Sequence, residues 1–169
     1  MQHTNQPHVD AFCSRSIIAL AGLAGGVMEI AWISLYSSLT ATSGTEVARQ
    51  VATTVLPAAA GSGYAPALGI GIHLVLSIIL ATGFVALLYA PIARRFGATG
   101  VFFSGLATLA AVWAVNFFVL LPLLNPAFPA LMPYVVTLTS KLLFGAAMSW
   151  VLIRNGGRRA QPIVSRPPM

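Results

Sequence analysis

Four long apolar stretches set the terms for this chain, over about residues 16–39, 67–90, 96–121 and 131–153. Each holds roughly 23–26 residues, enough to cross ~30 Å of hydrocarbon as a tilted helix. In lipid every backbone N–H and C=O needs an internal partner, so only helices and closed barrels can span. The stretches lack the period-2 alternation of a barrel strand, which leaves helices. Of 169 residues, 57% are hydrophobic and 7% charged, where soluble domains run near a quarter charged. The fold class is therefore all-α: a polytopic membrane protein whose single domain, 16–153, is a four-transmembrane-helix bundle. The lipid bilayer is its first partner.

The net charge of +6 does not point to nucleic acid, because the arginines flank apolar spans. Arg15 precedes the first, Arg94 and Arg95 separate the second and third, and Arg154, Arg158, Arg159 and Arg166 follow the fourth. Glu46 and Arg49 cancel in the first loop, and the third-to-fourth loop carries no charge. Positive-inside orientation puts both termini, 1–15 and 154–169, in the cytoplasm of a bacterial inner membrane. Trp32, Tyr36, Tyr64, Trp113 and Tyr134 then fall toward the outer interface, Tyr89 and Trp150 toward the inner one. The first span is too long for a signal-peptide core and contains Glu29, which argues against cleavage. Cys13, the sole cysteine, sits on the reducing side and forms no intrachain disulfide; it is read as inert, with reversible acylation as the alternative. His3 and His8 lie in a short tail that builds no metal site.

Between the first two spans, Ser43 followed by Glu46 fits a capping box. Val47, Val51 and Val55 then recur at helical spacing, and Pro57 and Gly61 end the run. These signals predict an outer amphipathic helix over about 44–56, either floating on lipid or roofing a cavity between the spans. The third-to-fourth loop, with Pro122, Pro126, Pro129 and Pro133, is expected to form a stiff opposite rim.

Each span carries one stripe of small or polar residues, which is how helices pack when lipid supplies no hydrophobic drive. The stripes are Gly22 and Gly26 with Glu29; Gly69, His73, Ser77 and Ala81; Gly105, Thr108, Val112 and Asn116; and Tyr134, Thr137, Lys141, Gly145 and Ser149. Facing one another, they predict a compact four-helix bundle. Glu29 lies fourteen residues after Arg15 and Lys141 thirteen before Arg154, or about 21 and 20 Å of helix. The two opposite charges thus share one depth, with His73 and Asn116 nearer the outside at roughly 30 Å.

Two functional classes follow. In the first, the Glu29–Lys141 pair is structural and fixes helix register, and the protein is an accessory or interaction protein that packs against itself as a homo-oligomer or against another membrane protein. In the second, Glu29, His73, Asn116 and Lys141 bind a small solute or handle protons from an outward-facing polar cavity, because intramembrane ionisable groups are functional candidates. Lys141 snorkelling away from a protonated Glu29 is a third arrangement. An enzyme is not supported. There is no HExxH, no second carboxylate near Glu29 and no Ser/His/Asp set at one depth. No cofactor is expected either: one membrane histidine excludes bis-histidine haem, and His73 with Met28 or Met148 is a weak pair.

From Gly69 to the end of the fourth span the chain resembles the YagU-like bacterial inner-membrane proteins, a family of unassigned activity. The resemblance rests on His73, Ser77 and Gly83, then Gly100 and Gly105. It continues through Pro122, Pro126-Ala127-Phe128, Pro133-Tyr134, Lys141 and Phe144-Gly145. It covers about residues 69–153, excludes Glu29, and implies a small inner-membrane helix bundle without catalytic residues.

Overall fold

A computed structural model describes residues 14–156. The expectations for Cys13, His3, His8, Arg158, Arg159 and Arg166 fall outside the described residues. The described chain is helical, with α1 (Arg15–Leu39), α2 (Gly44–Val55), α3 (Ala65–Phe84), α4 (Ala90–Val115), the short α5 (Leu121–Leu124) and α6 (Ala127–Leu131), and α7 (Tyr134–Gly156). Two π-helical turns, Val85–Tyr89 and Asn116–Leu120, bridge α3 to α4 and α4 to α5. Three helices are long and apolar enough to cross a membrane: Arg15–Leu39, the 60-residue run Ala65–Leu124, and Tyr134–Gly156. Inside the long run only Gly97 leaves helical geometry, with φ 62°. That left-handed conformation is open to glycine and costly for other residues. Gly97 lies beside Arg94 and Arg95 and breaks α4 near its start, where the long run turns back.

The four long helices pack as a row and not as a ring. The tightly packed pairs are α3 with α1, α1 with α7, and α7 with α4, with α2 laid across α3. The long helices thus form a row, α3–α1–α7–α4. Although α3 and α4 are consecutive, they do not pack along their lengths. Glycines set the close crossings. Beside Gly22 a Cβ would stand 2.7 Å from Ile78 Cα, and beside Gly26 it would stand 2.5 Å from Ser77 Oγ, so α1 meets α3 almost backbone to backbone. Gly25 on the adjoining face accepts the Phe144 ring of α7. Gly105 and Gly145 face each other where α4 crosses α7, with the Gly145 position 2.9 Å from Gly105 O. Gly69 lies under the Ala48 carbonyl of α2.

The dense core fills the half of the molecule near Gly97. It contains Phe84, Tyr89, Val101, Leu109, Phe144, Met148 and Leu152. Tyr89 is therefore a core residue, not a lipid-interface anchor. Trp150 is exposed, with the Arg154 guanidinium 4.5 Å from its ring centroid, a cation–π contact at the end of α7. On α4 the buried stripe is Val101, Gly105 and Leu109. Thr108, Val112 and Asn116 lie beside that stripe, on the flank that α3 leaves uncovered. The expected single face joining Gly105 to Asn116 is in fact two neighbouring faces.

The half of the molecule near α2 is built differently. Trp113 donates to Thr137 Oγ1 at 3.0 Å and Trp32 donates to the Val136 carbonyl at 3.0 Å. Trp113, Phe117, Phe118 and Tyr134 form an aromatic cluster with centroids 5.4–6.2 Å apart. Only half of the capping box forms among the described residues. The Glu46 N–H donates to Ser43 Oγ at 3.3 Å, but the Glu46 carboxylate turns to Arg49 (3.3 Å) and accepts from Gln50 (2.7 Å). A cation at i+3 and an amide at i+4 outcompete the backbone donor for this carboxylate.

Candidate functional site

Gly25 and Gly26 bring α3 and α7 against α1, and Glu29 follows them one turn on, so its carboxylate points into the space that they open. Lys141 approaches from α7, with Nζ 2.6 and 2.8 Å from the two carboxylate oxygens. Both side chains are nearly enclosed, 12% and 13% exposed. Ser140 Oγ lies 3.3 Å from Glu29 Oε1 and donates to the Thr137 carbonyl at 2.7 Å. His73 from α3 completes the group, its Nε2 3.9 Å from Glu29 Oε2 and 3.3 Å from the Gly26 carbonyl. With the ring proton on Nε2, His73 donates to Gly26 and keeps Nδ1 as a free acceptor.

His73 therefore sits level with the charge pair and not above it. Counting residues from Arg94 takes Arg15 and Arg94 as one level and every helix as upright. α3 instead runs through a π-turn and into the start of α4 before the break at Gly97, so a simple residue count does not fix the height of His73. Asn116 stands apart from the pair, at the start of the second π-turn, and its amide has no hydrogen-bond partner among the described residues. π-turns of this kind recur at functional sites because they re-aim one side chain.

The four residues share one cavity of about 810 Å³, within the range that holds a drug-sized ligand. Glu29, His73, Ser140 and Lys141 form its floor, and Val47 and Val51 of α2 its roof. Phe117 and Phe128 form part of its wall. The walls are otherwise aliphatic, with few polar groups. Of the two positions open to α2 in the sequence, it takes the roof. Among the described residues no three of His, Cys, Asp and Glu gather as metal ligands.

Three side chains went unnoticed in the sequence. Ser140, beside Lys141, reaches the pair. Ser37 Oγ on the cavity wall is buried without a hydrogen-bond partner among the described residues. Asn125 donates to Gln50 Oε1 at 2.8 Å and to Thr54 Oγ1 at 3.1 Å, tying the α5–α6 loop to α2. Asn125 had a signal: it is the sole polar side chain between Asn116 and Tyr134. Replacing it with Ala is expected to raise amide exchange selectively over Gly44–Val55, with α1 and α7 unchanged; uniform protection in hydrogen-exchange mass spectrometry would contradict that latch.

Compared with models of protein families, with curated proteins and with solved structures, the chain gives no match.

Proposed function

We propose that this is a four-span bacterial inner-membrane protein, both termini cytoplasmic, that binds a small solute in the cavity above the Glu29–Lys141 pair. The observation that carries this reading is a single cavity reaching Glu29, His73, Asn116 and Lys141. A purely structural ion pair is best served by a dry, filled surround, because packing completes the shielding of the charges. Here hydrogen-bonding groups line a cavity instead of a filled surround. The break at Gly97 next to two arginines favours counting the long helical run as two crossings, and an even number of crossings puts the termini on one side. The resemblance of residues 69–153 to YagU-like proteins agrees with such a bundle and assigns no ligand.

The accessory-protein reading draws on a separate observation. Gly71 and Gly83 on α3 have nothing within 4 Å of where a Cβ would stand, which leaves room for a neighbouring helix of a second copy or of another protein. Native extraction of the full-length chain, followed by mass spectrometry of everything retained, separates the two. Solute binding expects a small molecule that stays with the protein and is lost when Val51→Trp fills the cavity without altering the melting temperature. Retention of a protein or a second copy alone, equal in both forms, favours the accessory role and overturns solute binding.

A further inference from the structure

We infer that the cavity takes a neutral, membrane-dissolved amphiphile, a molecule with an uncharged hydroxyl or carbonyl head and an apolar tail, which enters sideways between α3 and α4. This rests on the solute-binding reading and names its ligand class and route.

The route comes from exposure. Leu76 and Ile79 line the cavity and are 45% and 57% exposed, so the cavity is not walled off from the surroundings at α3. Both lie within α3, well away from its ends, at a height where the surroundings of a span are acyl chains. Across from them, Val112 and Asn116 line the cavity as well as a shallow surface depression on α4 shared with Thr108 and Val115. Because α3 and α4 do not pack along their lengths, the cavity opens to this flank. At the α2 end, Asn125 holds the roof to the loop, and Arg49 bonds the Ala60 and Ser62 carbonyls at 3.3 and 3.1 Å. A molecule arriving through hydrocarbon meets an open flank; one arriving from water meets a tied roof.

The head chemistry comes from what the cavity lining leaves unused. Glu29 and Lys141 cancel, so a charged head would add an unpaired ion to a low-dielectric site, at high cost. What remains is hydrogen-bonding capacity. Lys141 carries three N–H groups and Glu29 engages two. His73 offers Nδ1 as an acceptor. Asn116 supplies an amide without a partner, and Ser37 Oγ is buried and unsatisfied. These groups match hydroxyl and carbonyl oxygens. The aliphatic and aromatic walls match a chain or ring system leading back to the gap.

The test uses the full-length protein in vesicles with photoactivatable diazirine probes on one alkyl chain. These carry an alcohol, a carboxylate or a quaternary ammonium, and a short-chain water-soluble alcohol is added as a fourth. Cross-linked peptides are mapped by mass spectrometry. The long-chain alcohol is expected to label the peptides of Leu76, Val112 and Lys141 saturably, at least about tenfold above either charged probe. Ile79→Trp and Val112→Trp each obstruct the gap, so either one that stays monodisperse is expected to abolish that labelling.

Equal saturation by a charged probe, or by the short-chain alcohol alone, overturns the inferred class or route while leaving solute binding intact. Labelling that never saturates overturns the inference. So does disulfide linkage of two copies through Ile79→Cys in a Cys13→Ser background without cavity labelling, because a second copy then fills the gap. If no probe enters and native extraction retains no small molecule, the solute-binding reading falls too.

Discussion

Lys141→Met alone is expected to destabilise the folded protein by about 3–5 kcal/mol, because it leaves the Glu29 carboxylate buried without its cation. Ser140 is too engaged with the Thr137 carbonyl to replace an ammonium. Glu29→Gln alone is expected to cost a similar amount, since it strands the ammonium of Lys141. The double variant removes both charges and is expected to recover most of the loss, because exchanging a buried ion pair for neutral groups of similar shape is often close to neutral. Thermal unfolding in detergent, read as a double-mutant cycle, measures the coupling directly. A double variant as unstable as the worse single one would mean that the two charges do not depend on each other. The variants also separate stability from ligand capture. The double variant is expected to fold and yet to bind the amphiphile more weakly, since the third N–H of Lys141 is gone.

Gly22→Ala is expected to push α1 and α3 apart. Its Cβ would lie 2.7 Å from Ile78 Cα and 2.8 Å from the Ser77 carbonyl. Both are backbone atoms of α3, so no side-chain rotation relieves the overlap and the two helices must separate. Overpacking of this kind costs about 1–3 kcal/mol, and here it acts on the crossing that also positions Gly26 and His73. Gly71→Ala is the matched control, with nothing within 4 Å of its Cβ position and a small gain in helix propensity. Melting temperatures of the two variants are expected to move in opposite directions; equal shifts would show that the α1–α3 crossing is looser than its glycines imply.

Much of this fold was legible because lipid simplifies the problem. Long apolar stretches give the long helices, and the closest crossings coincide with glycines on small-residue stripes. The pairing of Glu29 with Lys141 could be read from sign and depth alone, since buried opposite charges at equal height have strong reason to meet. What the pattern did not reveal was neighbour order. Small stripes say which face of a helix packs, not which helix it packs on, so the row α3–α1–α7–α4 and the open flank beside it were invisible. A four-way stripe match pointed to a compact bundle without giving its order, and Gly105 and Asn116 serve two faces. His73 was misplaced in height because loop charges mark where a helix enters the interface, not how far it runs on. Asn125 and Ser37 act through tertiary partners more than sixty residues away or through the cavity itself, which no local pattern encodes.

The most direct check is the separation of Lys141 Nζ from Glu29 Cδ by solid-state NMR, on the full-length protein in lipid bilayers. Salt-bridge contact, within about 4 Å, is the expected result. A lysine ammonium found at headgroup depth, with Glu29 protonated and alone in the interior, would contradict the paired floor on which both the fold and the ligand site are built.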